Sequence, residues 1–367
     1  LRTGGADVAR VSRLSRASGC RGRSIYMDKI RAGIVGYGNI GRGVEKAIGQ
    51  NPDFELVAIL TRRPPGTLSS GMQASGMHDS GSQATNNSTA AILHVSDAPS
   101  LKGKVDVMIL CGGSATDLPE QGPQFAASFN TVDSYDTHAK IPDYYRAMDA
   151  ASRSAGLISV ISAGWDPGLF SLNRALAAAV LPHGSGCTFW GKGVSQGHSD
   201  AIRRVDGVEA AIQYTIPIAT AIEKARKGEG GALATRDKHL RECFVVAKEG
   251  ADKAAIETSI KTMPYYFAEY DTIVHFIGKD EFNANHTGMA HGGFVVHSGK
   301  TVSGRHTIEY SLDLNNNAEF TASTLVAYAR AACRYQREGR SGALTVLDIP
   351  VTYLSATPDE TLRKDLL

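Results

Sequence analysis

The sequence predicts an α/β protein of two domains, a parallel-sheet dinucleotide-binding unit followed by a unit with a mixed sheet. Three observations predict it. A glycine motif, "GYGNIG", sits between an apolar run and a helical stretch. Short apolar runs then alternate with helical stretches as far as Asp166, the pattern of a parallel sheet with crossover helices. Beyond Asp166 the runs become alternating and strand-like, with few long helices between them.

The elements follow in order. Residues 30–35 read as a short buried strand bounded by glycine. Residues 39–48 read as a helix, with Val44, Ala47 and Ile48 apolar at helical spacing. "FELVAIL" (54–60) is the next strand. Residues 66–90 are rich in Gly, Ser, Asn and Gln and read as a surface insertion. "VDVMILC" (105–111), "FNTVDSYD" (129–136) and "LISVISAGWDPG" (157–168) are strand-then-turn units, with "YYRAMDAASRSAG" a helix between the last two. "AIQYTIPI", "ECFVVAK", "YDTIVHFIG", "GGFVVHSGK" and "RHTIEYSLDL" supply the strands of the second unit. "FTASTLVAYARAACRYQREG" is one long helix, started by Thr321 or Ser323 and stopped by Gly339.

Composition sets the limits. The chain has 367 residues, 42% apolar and 21% charged, with a net charge of +2. That balance gives no electrostatic case for nucleic acid or a membrane surface. No apolar run approaches the roughly 20 residues that span a bilayer. The five cysteines, Cys20, Cys111, Cys187, Cys243 and Cys333, are scattered and never spaced as CxxC. They suggest neither a disulfide framework nor structural zinc, and they fit a reducing compartment. Residues 1–26 carry six arginines, four serines and a single acid, Asp7. An organellar transit peptide has that composition, but a disordered extension ahead of Met27 is the favoured reading.

The motif is GxGxxG: Gly36, Gly38 and Gly41. Gly36 permits the turn off the strand, Gly38 the approach of a pyrophosphate, and Gly41 the packing of helix on sheet. Its place between strand and helix is the context such a motif requires. A Gly-rich turn in a non-binding α/β unit is the alternative. Arg62 lies 21 residues beyond Gly41, near the position, about 20 residues on, that reads the ribose. An acid there would repel a 2′-phosphate, whereas Arg62 and Arg63 offer it donors and Thr61 a hydroxyl. This favours NADP over two solvated arginines at a strand end. Cys111, Gly112, Gly113 and Ser114 end the next strand, on the rim where open sheets bind ligands. Cys111 reads as a small buried residue, not as a nucleophile. Asp133, Asp136 and Asp166 share that rim and are candidate ammonium partners. The histidines form no metal set: His286 and His291 are five apart in a glycine-rich loop, and no metal is expected.

Taken together, these stretches resemble the meso-diaminopimelate dehydrogenase family from Met27 to about Leu354. The carriers include "GIVGYGNIGR", "TRR", "CGGSATDLPEQ", "TVDSYDTH", "GWDPGLFSLNR", "TFWGKGVSQGHSDAIRR", "GVEAAIQYTIP", "AIEKARKGE", "RECFVVA", "HTGMAHGG", "HTIEY" and "EFTAS". The resemblance implies NADP-dependent, reversible oxidative deamination of the D-centre of meso-diaminopimelate. The products are L-2-amino-6-oxopimelate, which cyclises to tetrahydrodipicolinate, and ammonia. The reverse direction leads toward lysine. It implies a cytoplasmic homodimer with a Rossmann-type NADP-binding domain over 27–165, joined by the late helix at about 318–345. The α+β substrate-binding and dimerisation domain would span 166–317.

By motif, Asp136 and Asp166 are placed at the reacting centre with Trp165 beside them. Trp190, Gln196 and Gly197 line the pocket. Thr215, Arg241 and His291 bind the distant carboxylate, and Asn317 completes the set. The cofactor set is Gly36, Tyr37, Gly38, Asn39, Ile40 and Gly41; Thr61, Arg62 and Arg63; Cys111 to Ser114; Ser134, Tyr135 and Asp136; and Ala163, Gly164, Trp165, Asp166 and Pro167. Departures from the family pattern are the tail before Met27, the longer 66–90 segment, and "CGG" in place of a bulkier middle residue. Hydride transfer to a nicotinamide leaves an imine that water hydrolyses, so the protein mainly orients and tunes. Asp166, Asp136 or a water they hold is the expected base, with His198 a further candidate. Two rival readings are a related NADP enzyme acting on other D-amino acids or a semialdehyde, and a catalytically silent NADP-binding protein.

Overall fold

The computed structural model describes residues 29–63 and 90–367. The expected extension at 1–26 lies outside these residues, as does all but residue 90 of the expected insertion. Seven parallel strands form the first sheet: β1 (Ile30–Val35), β2 (Phe54–Thr61), β3 (Ala91–His94), β4 (Val107–Leu110), β5 (Asn130–Asp133), β6 (Ile158–Val160) and β14 (Gly342–Leu344). Their order is β14-β6-β5-β4-β1-β2-β3. β1 pairs with both β2 and β4, so the strand order reverses there and a crevice opens beyond the carboxyl ends of β1 and β4. The glycine motif and the loop after Leu110 both begin at that crevice.

β4, β5 and β6 are shorter than the apolar runs that announced them. The edge strands β3 and β14 were not expected. They are four and three residues long, too short for periodicity to reveal. The late helix runs Asn317–Arg337 and begins earlier than expected. Asn316 caps it by accepting from Glu319 N at 3.2 Å. Ser323, a proposed start, instead donates back to Glu319 O within the helix. Gly339, with φ +76°, follows the helix end as expected. Leu325, Val326 and Tyr328 of this helix share one core with Ile34, Val107 and Val132 of the parallel sheet. Arg330 ties the same helix to the β2 entry by hydrogen bonds to both carboxylate oxygens of Asp53 and to Asn51 Oδ1.

The second unit holds the expected mixed sheet and, beside it, a separate antiparallel one. The mixed four-stranded sheet is ordered β11-β10-β9-β8, and the antiparallel three-stranded sheet is ordered β13-β12-β7. Their strands are β7 (Gly184–Trp190), β8 (Gly193–Val194), β9 (Val208–Pro217), β10 (His239–Ala247), β11 (Asp271–Phe276), β12 (His291–Thr301) and β13 (Gly304–Leu314). The chain passes from one sheet to the other at Gly191, where φ is +106° and a Cβ would lie 2.0 Å from Thr215 O. Only glycine fits that crossing. Among the described residues no helix is long and apolar enough to cross a membrane, and no cluster of metal-ligating side chains occurs.

Candidate active site

The crevice between the units has a volume of about 320 Å³. Asn39, Ile40, Cys111, Gly112 and Gly113 line it from the parallel sheet, and Val194, Gln196 and Met289 from the second unit. Asn317, Ala318 and Thr321 of the late helix close its side. Asn39 Nδ2 reaches Met289 Sδ across the opening at 3.5 Å.

The glycine motif has the geometry a dinucleotide requires. Gly36 has φ +92°, and a Cβ on Gly41 would lie 2.2 Å from Gly36 O. A Cβ on Gly38 would meet nothing within 4 Å among the described residues. Protein packing therefore does not demand glycine at 38; the space above it fits a phosphate group. Tyr37 donates through its hydroxyl to Glu45. Thr61 is buried, and its hydroxyl accepts from Arg63 N at 3.1 Å, so it shapes the turn that carries the arginines. Arg62 and Arg63 are exposed. Arg62 Nη1 pairs with Asp117 Oδ1 at 3.0 Å. Asp117 Oδ2 accepts from Gly113 N at 3.0 Å. Asp117 thus joins the two cofactor-side loops; its position in "CGGSATD" was the only signal for it. Burial pushes the Cys111 thiol up, in keeping with a structural role.

On the rim, the structure separates residues that the sequence grouped. Asp133 is fully buried and accepts from Tyr135 N, Tyr144 Oη and Ser162 N at 2.9, 2.8 and 3.2 Å. It staples two loops and is not an ammonium partner. Tyr135 stacks on Tyr144 with ring centres 4.1 Å apart, so its ring belongs to the core and only its backbone reaches the rim. Ala163 is equally buried. Asp136 is exposed, and its N–H donates to Ser114 Oγ at 3.2 Å. Ser134 and Gly164 meet on the same rim, since a Cβ on Gly164 would lie 3.6 Å from Ser134 Cβ.

Burial pushes the Asp133 carboxyl up to about 6, against the hydrogen bonds from Tyr135, Tyr144 and Ser162. Its value in the unfolded chain is about 3.9. Between these values the folded chain keeps a proton that the unfolded chain releases, so stability falls as pH rises through the window. We expect the melting temperature of Asp133→Asn, relative to the parent, to climb between about pH 4 and pH 6. A flat difference in a thermal-melt series would contradict this.

Asp166 lies at the turn before the helix Leu169–Val180, with its side chain 2% exposed. Oδ1 accepts from Arg174 at 2.7 Å and Oδ2 from Trp190 Nε1 at 2.6 Å. Arg174 also donates to Thr188 Oγ1 and Ser171 Oγ, at 3.1 and 3.0 Å. Sequence reasoning missed Arg174; it lies in "GWDPGLFSLNR", two helical turns beyond the aspartate. Trp165 Nε1 donates to Asn317 Oδ1 at 2.7 Å, and its ring lies 4.9 Å from His291. Pro167 follows Asp166 in the same turn. Gln196 and Gly197 open the helix Gln196–Arg203 and are exposed. His198 is held by its neighbours: it bonds Ser195 Oγ at 2.7 Å and meets Tyr266 and Phe267 edge-on. That makes it a packing residue and not a base.

Arg241 is the buried cation of the second unit. It is 5% exposed. One nitrogen donates to Thr215 Oγ1 on the paired strand. Its guanidinium lies 4.0 Å from the Tyr270 ring centre, a cation–π contact. Among the described residues no acid lies within salt-bridge distance of it, and its Nε has no hydrogen-bond partner. Burial and then the charge of Arg241 push His198 down to about 4 and His239 to about 3. The same two causes lower His291, against an opposing bond to Gly292. Arg241 is thus a buried cation whose charge three histidines feel and which, among the described residues, has no carboxylate in salt-bridge reach. His239 accepts from Trp190 N at 2.8 Å and stacks on its ring, so it backs the Trp190 wall.

A glycine-motif crevice at a topological switch point, facing a second unit that buries an arginine, defines the class of dinucleotide-dependent oxidoreductases. The comparisons narrow the class. Residues 164–316 match the profile of the diaminopimelic acid dehydrogenase C-terminal domain. A meso-diaminopimelate D-dehydrogenase of Ureibacillus thermosphaericus is 60% identical over 342 residues, covering 93% of this chain and all of that one. The diaminopimelate dehydrogenase of C. glutamicum, solved in complex with DAP, is 46% identical with a TM-score of 0.83. That match covers 93% of this chain and 100% of the other. An engineered D-amino acid dehydrogenase bound to NADP+ is 44% identical with a TM-score of 0.78, over 92% and 100% of the two chains. The chain belongs to the meso-diaminopimelate D-dehydrogenase family.

Proposed function

We propose that this chain catalyses the NADP-dependent, reversible oxidative deamination of the D-centre of meso-diaminopimelate, yielding L-2-amino-6-oxopimelate and ammonia. The observation that carries the reading is the buried, acid-free guanidinium of Arg241, set apart from the cofactor crevice. A substrate with a carboxylate at each end needs such a second anchor. Arg241 and the Thr215 hydroxyl bind the far carboxylate, with His291 beside them. Binding that end in one sense brings only the D-centre to the crevice.

NADP, when bound, supplies the hydride acceptor. Gly36, Gly38 and Gly41 leave room for its pyrophosphate, and Arg62 and Arg63 meet its 2′-phosphate. Cys111 to Ser114 and the rim from Ser134 to Asp136 support it, together with the turn around Gly164. Asp166 anchors the reacting ammonium. Both its oxygens already hold donors, so the exposed Asp136 is the better proton acceptor of the two. Trp165, Trp190, Gln196 and Gly197 wall the substrate. Residues 27–165 with the late helix form the cofactor domain, and 166–317 the substrate domain. The chain works as a cytoplasmic homodimer through the latter.

Arg174 holds Asp166 in place. Arg174→Met should lower kcat/KM about thirtyfold or more, with Arg174→Lys intermediate, because one buried oxygen of Asp166 loses its partner. Steady-state kinetics of both variants check this. The reading as a whole is tested by initial rates with meso-diaminopimelate, D-alanine, D-lysine and homoserine. Preference for meso-diaminopimelate supports it, and a faster rate with any of the others refutes it.

A further inference from the structure

We propose that Gln213 is a positioning residue that fixes the polarity of the Thr215 hydroxyl, and so sets the preference for a substrate bearing a carboxylate at its far end. The inference rests on the reading of Arg241 and Thr215 as the carboxylate site. Gln213 lies two residues before Thr215 on β9, so both side chains leave the same face of the sheet. It is fully buried. Its Nε2 donates to Thr215 Oγ1 at 3.3 Å. Arg241 donates to the same oxygen from the neighbouring strand.

A hydroxyl has two lone pairs and one proton. Donors take both lone pairs here, so Thr215 has only its proton left to offer a third group. It is a donor, suited to a carboxylate and unsuited to an ammonium. Gln213 is itself fixed: its N–H donates to Ser199 Oγ at 2.9 Å, and its carbonyl accepts from Ser195 N at 3.1 Å. Gln213 Oε1 and Arg241 Nε are both buried without partners. The free Arg241 Nε–H is a donor left over for an acceptor such as a carboxylate, whereas Gln213 Oε1, itself an acceptor, offers such a ligand nothing, so Gln213 serves the site only through Thr215. A methionine at 213 would free a lone pair on Thr215. A glutamate would take the Thr215 proton and set a second anion beside Arg241.

The test uses the full chain with NADP. D-lysine is meso-diaminopimelate without the far carboxylate, so the two ligands isolate that group. The measurements are KM for meso-diaminopimelate and the inhibition constant of D-lysine against it. Gln213→Met should raise KM about tenfold and Gln213→Glu about a hundredfold, while Gln213→Met shifts the D-lysine constant less than about twofold. Because Gln213 acts through Thr215, adding Gln213→Met to Thr215→Val should raise KM no more than about twofold further. If Gln213→Met does not fold, the near-isosteric Gln213→Glu carries the same comparison. Unchanged KM, equal losses toward both ligands, or multiplied effects in the double variant would overturn the proposal while the parent reading stands. A parent chain that does not turn over meso-diaminopimelate would overturn both.

Discussion

Arg241→Met should raise KM for meso-diaminopimelate about a hundredfold or more, with kcat falling far less. Among the described residues no acid lies within salt-bridge distance of Arg241, and Arg241 does not line the cofactor crevice. Its guanidinium offers a carboxylate two parallel donors in a buried setting, where a charge-assisted pair is worth several kcal/mol. Methionine keeps much of the volume against Tyr270 and removes the charge. Removing the cation also relieves His198, His239 and His291 of the charge that helps lower their pKa values, so the fold should survive. Steady-state kinetics and a thermal melt of the variant separate the outcomes. Unchanged KM in a folded variant would remove Arg241 from the substrate site.

Arg62→Glu combined with Arg63→Glu should weaken NADP about a hundredfold or more while altering NAD binding by less than about tenfold. The 2′-phosphate is the only group that distinguishes the two cofactors. Arg62 leans on Asp117, which also holds the Gly112–Gly113 loop through Gly113 N. The new glutamates would repel both Asp117 and the phosphate. Titrating each dinucleotide against the double variant gives the ratio directly. Equal binding of NADP by variant and parent would show that the arginines are only solvated charges at a strand end.

The parallel sheet was legible because its strands are short, mostly apolar and bounded by turn residues, with β4 an unbroken apolar run. Gly36, Gly38 and Gly41 were legible because each answers a different steric demand. What the sequence hid was partnership. Asp133, Asp136 and Asp166 look alike in a one-dimensional reading. The fold makes the first a buried staple, leaves the second exposed, and ties the third to Arg174 and Trp190. No spacing rule announces which aspartate will be desolvated. The division of the second unit into two sheets was hidden for a related reason. It turns on one crossing at Gly191 and on β8, a strand of two residues, below the length at which alternation can be seen. Gln213 was invisible because a buried glutamine inside a strand carries no motif, and its role exists only through Thr215.

The most direct test of the central claim is NADPH formation by the purified chain with meso-diaminopimelate, set against its L,L and D,D isomers. One D-centre at the crevice and one L-centre at Arg241 predict rapid NADPH formation with the meso isomer and at most traces with the other two. Equal rates with all three isomers, or none with the meso compound, would contradict the account.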